Sequence, residues 1–326
     1  MCNSRSAFIG FLVAAFSACA PASAVEGPSA AGPIGGTDIR SANLPPPGLY
    51  GGAVVLAAVA FDFVDGHGNT IPALSEARLT RKVLGPFLLY VPDYQLFGGS
   101  IALGAFFPVG EQCGRLFAVI PKRCQGGFGD PYVELAWSRS FATPRPSRYP
   151  NAFPILEGLT IGAGFGVVIP IGQYNASDPT SQALSNGSNI WDFAPNVAVT
   201  YTTRPIIAEG TEFSAKLYWN NYLKNPTTQY STGSLLNLDF AVSERIGRFQ
   251  VGVTGFYAVQ VADDRQFGIP IAPDGRRVEL LSLGGVVNYD MPEYGAVLKI
   301  KAITTALAIN TVRASAVAVS VAKKLW

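Results

Sequence analysis

The chain has 326 residues, of which 14% are charged and 48% hydrophobic, and its formal net charge is +2. That balance gives no electrostatic basis for nucleic-acid binding, and with a single histidine, His67, a His/Cys metal centre lacks ligands. Beyond the N-terminus no apolar stretch reaches the roughly 20 residues of a membrane-spanning helix, yet glycine at 35 positions and aromatics at 11% accompany the low charge.

In chain order, Arg5 precedes an apolar run from Ala7 to Ala20, and the small triplet Ala22-Ser23-Ala24 follows. This is the layout of a cleaved secretory signal over residues 1–24. Phe16-Ser17-Ala18-Cys19 offers an alternative, a lipoprotein box in which Cys19 is acylated and retained, although Phe16 fits it poorly. Residues 25–48 are rich in Pro, Gly, Ala and Ser and end in Leu44-Pro45-Pro46-Pro47-Gly48. They read as an extended periplasmic arm; a course back into a lumen, constricting it, is the open alternative.

Residues 49–326 read as an all-β, transmembrane, antiparallel up-and-down barrel, with strands at 49–65, 79–91, 95–109, 128–140, 157–171, 190–203, 211–224, 231–245, 248–262, 277–290, 294–304 and 312–326. Twelve is an even count, as bacterial barrels require. Leu236, Leu238, Phe240 and Val242 alternate with Asn237, Asp239, Ala241, Ser243 and Arg245, which sets one face toward lipid and the other toward water. The even-to-odd connections, such as Ile246-Gly247, are short, and most odd-to-even ones are long, as periplasmic turns and external loops should be. Phe141 to Leu156 breaks the rule by being a long periplasmic turn. A secreted soluble β-protein would show the same period, but the low charge and the terminal Trp326 argue against it. Cys113 and Cys124 remain after the signal is removed, and export favours a disulfide between them.

Leu44-Pro45-Pro46-Pro47-Gly48, Gly129-Asp130-Pro131-Tyr132 and Pro170-Ile171-Gly172-Gln173-Tyr174 are followed by Trp191, Pro195, Thr200-Tyr201, Glu212, Asn221, Asn225, Thr228, Tyr230, Gly233 and Asp239, then by Gly255, Tyr257, Gln260 and Asp263-Asp264. In order and spacing this set resembles the outer-membrane family named for the meta-pathway of phenol degradation. The resemblance implies a barrel in the cell outer membrane that takes up small hydrophobic or aromatic solutes. The ending Lys323-Lys324-Leu325-Trp326 resembles, in part, the signal read by the barrel assembly machinery. Outer-membrane lipid, that machinery and the solute are thus the expected partners; no cofactor is implied.

Asn196, Thr200, Asn220, Asn237, Asp239, Gln250 and Gln260 fall on the polar face and are the candidate lumen-lining or substrate-binding residues. They line a path, or they form a network that packs the barrel shut; the second case describes a non-transporting structural or adhesive protein. Tyr218, Tyr222 and Tyr230 read as interfacial girdle residues by default, with ring stacking on a planar ligand as the alternative. Asp263 and Asp264 stand at the outer rim and read as a solvated loop start, with cation binding or a hold on a loop across the mouth as the alternative; a Ca²⁺ site wants several more oxygen ligands. Serine chemistry would need a histidine base, and His67 sits in the turn Asp65-Gly66-His67-Gly68-Asn69, so no catalytic residue is assigned. The Cys113 to Cys124 segment, with Leu116, Phe117, Val119 and Ile120, is apolar enough to fold inward as a lid, or it is a plain hairpin loop.

Overall fold

A computed structural model describes residue 26, residues 32–148 and residues 153–326. The signal segment and Cys19 lie outside the described residues. Twelve strands form the wall: β1 (Gly48–Phe63), β2 (Arg78–Val91), β3 (Gly99–Phe106 continued by Val109–Arg115), β4 (Arg123–Phe128 continued by Tyr132–Ser140), β5 (Ile155–Val168) and β6 (Asp192–Thr202). They continue as β7 (Thr211–Tyr222), β8 (Leu235–Ile246), β9 (Phe249–Gln260), β10 (Glu279–Met291), β11 (Ala296–Ile309) and β12 (Val312–Lys324). Each pairs antiparallel with the next, and β12 returns to β1 from Tyr50 opposite Lys324 to Phe63 opposite Val312, which closes the barrel. The C-terminus completes this seam, where the Leu49 N–H donates to the Trp326 carbonyl at 2.9 Å and the Leu325 N–H to the Leu49 carbonyl at 2.8 Å. Closure removes the free edges that would otherwise leave backbone groups unpaired in lipid.

Alternation decides what faces out. Val55, Leu84, Leu103, Val197, Leu217 and Val253 are exposed apolar residues on the outer wall, the belt that meets hydrocarbon. Aromatic pairs mark its borders, Trp191 stacked on Phe193 at 6.2 Å near one rim and Phe249 against Tyr289 at 4.8 Å near the other. No helix among the described residues is long and apolar enough to cross a membrane. The connections on the side of the termini include the tight turns 247–248 and 292–295, whereas the opposite side carries 169–191 and 261–278. Long loops face outward in bacterial barrels, which makes the terminal end the inner one.

Three differences from the sequence reading have physical causes. The third and fourth strands do not stop at residues 109 and 128: Pro108 and Pro131 interrupt the ladder because they lack an N–H, and it resumes as a hairpin in which Cys113 and Cys124 are direct partners, 4.0 Å apart at Cα and disulfide-bonded. The long inner turn after β4 is partly a continuation of the hairpin, with Thr143–Arg145 paired to Ile155–Glu157. Glu209, on the neighbouring turn, ties it down by accepting from the Arg148 N–H at 2.6 Å, the Ser147 hydroxyl at 2.9 Å and the Gly247 N–H at 2.9 Å. The last outer connection is only Asn310-Thr311, because β11 runs on to Ile309.

Candidate functional site

Even-numbered residues of β6 and β7 and odd-numbered residues of β8 share the inward face. The seven candidates all lie there: Asn196 and Thr200 on β6, Asn220 on β7, Asn237 and Asp239 on β8, Gln250 and Gln260 on β9, each at most 7% exposed. Charged side chains stand in the same rows, Glu212 and Lys216 on β7, Arg245 on β8 and Asp290 on β10. The alternation read from the sequence already set Arg245 on this face; Glu212, Lys216 and Asp290 keep the same two-residue period but were not singled out as lumen residues. Tyr218 is also turned in, 1% exposed with the Lys216 ammonium 4.9 Å from its ring centroid, and Tyr230 is buried among the outer loops. The girdle reading of these two is therefore corrected; Tyr222 packs beside the apolar cluster of Leu235 and Phe256.

The lumen is occupied by the chain's own N-terminal arm. Over its described residues the arm read from the sequence as periplasmic instead threads the barrel. The Asp239 carboxylate accepts from the Gly35 N–H at 2.9 Å and from the Thr37 N–H and hydroxyl at 2.8 and 2.9 Å. Asp38 receives the ammonium groups of Lys299 and Lys301 from β11. Arg40 donates its N–H to Glu212 at 2.7 Å and its guanidinium to Gln250 at 3.0 Å and Asp290 at 3.2 Å, and Arg245 reaches the same Asp290 at 2.6 Å. Nearer the inner end the Ala42 N–H donates to Thr200 at 3.1 Å, and the Ser138 hydroxyl donates to the Ala42 carbonyl at 2.5 Å. A buried polar wall needs partners, and the arm supplies backbone N–H groups and one side chain of each charge. Thr37-Asp38-Ile39-Arg40, charged residues in an arm otherwise rich in Pro, Gly, Ala and Ser, could have signalled this in the sequence.

At the outer end the loop motifs converge. Asp130, in the break of β4, accepts from the Gly172 N–H at 2.8 Å and from the Ser188 N–H and hydroxyl at 2.6 Å, which folds the 169–191 loop across the mouth. Gly172 is needed because a Cβ there would lie 2.7 Å from the Gly129 carbonyl carbon. Tyr174 and Gln182 of that loop, with Asn225 of the next, hold the Glu26 carboxylate at 3.1, 2.8 and 2.6 Å. The arm thus reaches from the outer mouth to the inner rim. Leu116 and Leu184 join Phe63, Leu74 and Leu79 in an apolar cluster beneath the loops, with Phe117 packed on it, so the disulfide hairpin folds inward at its base while Val119 stays exposed.

The rim acids separate. Asp263 pairs with Arg277 at 2.7 Å, whereas Asp264 is fully buried and accepts from Tyr230, Gln260 and, at 2.8 Å, the Gly233 N–H. The solvated reading of Asp264 is corrected in favour of the alternative, a hold on the loops at the mouth: it knots two outer loops to the end of β9. Burial pushes its carboxyl up to about 7. His67 lies in the expected turn, where Asp65 accepts from the backbone of His67 and Asn69 at 2.9 Å.

A cavity of about 180 Å³ remains beside the inner half of the arm. Leu44, Leu89, Ala136 and Ala198 give it apolar walls, and Glu134, Lys216 and Asn196 give it one polar end. There the Lys216 ammonium meets Glu134 at 2.6 Å and the Tyr132 hydroxyl donates to the same carboxylate at 3.1 Å.

Two outcomes follow from this geometry. Asp239→Ala removes the acceptor of three arm donors, each bond to a charged group being worth roughly 1.5–3 kcal/mol; single-channel conductance in a planar bilayer should rise several-fold, and unchanged conductance would show that these bonds do not hold the arm. For Asp264 the folded value near 7 lies above the ordinary 3.8, so the folded state binds the extra proton; its stabilisation is complete below pH 4 and is lost as pH rises toward 7. Hydrogen exchange at the Gly233 amide, corrected for its intrinsic pH dependence, should therefore lose protection across that window, and Asp264→Asn should flatten the loss.

Comparison with known proteins agrees with the barrel. An outer membrane channel from Pseudomonas putida F1 superposes with a TM-score of 0.69 at 14% identity, over 88% of this chain and 99% of that one. The beta domain of the Bordetella autotransporter BrkA gives 0.44 at 9% identity, over 85% and 99%, and the TodX monoaromatic hydrocarbon channel deltaS2 mutant gives 0.37 at 12% identity, over 86% and 91%. No curated protein matches the sequence. At such identities the first of these establishes the fold alone, a closed twelve-stranded barrel of the cell outer membrane. The family model described as "Putative MetA-pathway of phenol degradation" matches residues 60–302, three quarters of the chain, and the protein belongs to that family.

Proposed function

We propose that the protein is an outer-membrane channel through which small hydrophobic or aromatic solutes pass from outside to the periplasm when the N-terminal arm moves aside. The observation that carries this reading is the cavity beside the arm. Its volume of about 180 Å³ exceeds the roughly 150 Å³ that holds a benzene ring in an apolar protein cavity. Its lining pairs apolar walls with a single ion-paired end, the pattern of a site for one small amphipathic molecule. Noncovalent bonds hold the described arm, so the plug is removable in principle. Neither catalytic residue nor cofactor enters this function.

A second reading, a structural barrel with its lumen packed shut, is favoured by the number of bonds between arm and wall. Uptake separates the two. Cells carrying the protein should take up a radiolabelled monocyclic aromatic several-fold faster than cells lacking it, with no difference for a sugar of similar mass. Equal aromatic uptake by both strains would favour the packed barrel.

A further inference from the structure

Three carboxylate or amide oxygens inside the outer half of the barrel have no hydrogen-bond partner: Asp192 Oδ2, Asn220 Oδ1 and Asn237 Oδ1. Their residues are all fully buried. They run diagonally over three adjacent strands, since Tyr222 faces Asp192, Leu235 faces Asn220 and Tyr218 faces Asn237. The other polar atoms of these side chains are engaged. Asp192 Oδ1 accepts from the Asn221 N–H at 3.0 Å, Asn220 donates to the Leu235 carbonyl at 3.4 Å, and Asn237 donates to Asp239 at 2.8 Å. The amides therefore cannot flip to supply a donor without breaking what they already make.

The arm covers this place with residues that bring nothing to it. Gly32, at a φ of +108°, presses so close that a Cβ would lie 2.6 Å from Asp192 Oδ2 and 2.7 Å from Asn220 Oδ1. Gly32 has no side-chain donor, and Pro33 lacks even an N–H. Ile34 meanwhile packs on Leu235, Phe256, Ala258 and Val278. The segment fills an apolar slot and leaves the acceptors beside it unsatisfied, at roughly 1–3 kcal/mol for each buried orphan.

We propose that Asp192, Asn220 and Asn237, with the wall of Leu235, Phe256 and Ala258, form a subsite for a neutral hydroxyl-bearing aromatic solute, which the Gly32–Ile34 segment covers at rest. The ring replaces Ile34 on the apolar wall. The hydroxyl donates to Asp192 Oδ2, a bond the resting arm does not make. A hydrocarbon gains no such bond, and a carboxylate brings no donor to Asp192. This deepens the channel reading and rests on it, by naming the solute class.

The test compares benzyl alcohol, toluene and benzoate, which share a ring and differ in the polar group, by equilibrium binding to the full-length protein in detergent, followed by NMR. Moving the arm costs the same for each, so the ratio of affinities reports the subsite. Benzyl alcohol should bind at least ~10-fold more tightly than toluene, as pairing one buried acceptor left without a partner provides, and benzoate most weakly. Asp192→Asn, of equal size, places an amide donor beside Asn220 and should bring the alcohol-to-toluene ratio to within about twofold. Equal binding of alcohol and toluene, or a ratio unchanged by Asp192→Asn, would overturn the subsite while aromatic uptake by cells leaves the channel standing. Absence of binding by all three, with no aromatic uptake, would remove both.

Discussion

Satisfying a polar interior is the constraint on which this structure depends. Twelve strands enclose a lumen too wide for their own side chains to fill, and the period that turns Val197, Leu217 and Val253 to lipid turns Asn196, Glu212, Asp239 and Arg245 inward. Those groups need partners. The arm supplies them from a stretch with little structure of its own, through the Gly35 and Thr37 N–H groups to Asp239 and through Asp38 and Arg40 to the charges of β7, β10 and β11.

Seen this way, the scattered family-like residues form a connected outer closure. Asp130 folds one loop over the mouth, Asp264 knots two others, and Tyr174 with Asn225 takes hold of Glu26 at the far end of the arm. The closure has weak places. The arm meets its wall without strong bonds at Gly32-Pro33, where three acceptors stay unpaired, and it leaves a cavity beside Leu44. Both lie along the only lumen, one toward each end.

Strand number, direction and inward parity were legible in the sequence because each rests on a two-residue period and on loop length, which are local properties. The lengths of β3 and β4 were not, since Pro108 and Pro131 look like strand ends and the pairing that resumes beyond them depends on a partner strand and on the Cys113–Cys124 link. The arm's position was left open between periplasm and lumen for a different reason. Its Pro, Gly and Ala carry no period, and its partners lie far along the chain, with Thr37 and Asp239 separated by 202 residues. The inward course of Tyr218 could have been read from its register with Asn220; the burial of Asp264 could not, because it depends on two loops meeting.

The most direct test of the central claim is to lock the arm in place. A Cβ on Gly162 would lie 3.8 Å from the Ala42 Cα, within reach of a disulfide when both positions are cysteine. Aromatic uptake by cells carrying Ala42→Cys and Gly162→Cys together should fall to the level of cells lacking the protein under oxidising conditions. It should recover on reduction, while the wild type responds to neither. Undiminished uptake with the arm cross-linked would contradict the account, for it would mean that solutes pass without displacing the segment that fills the lumen.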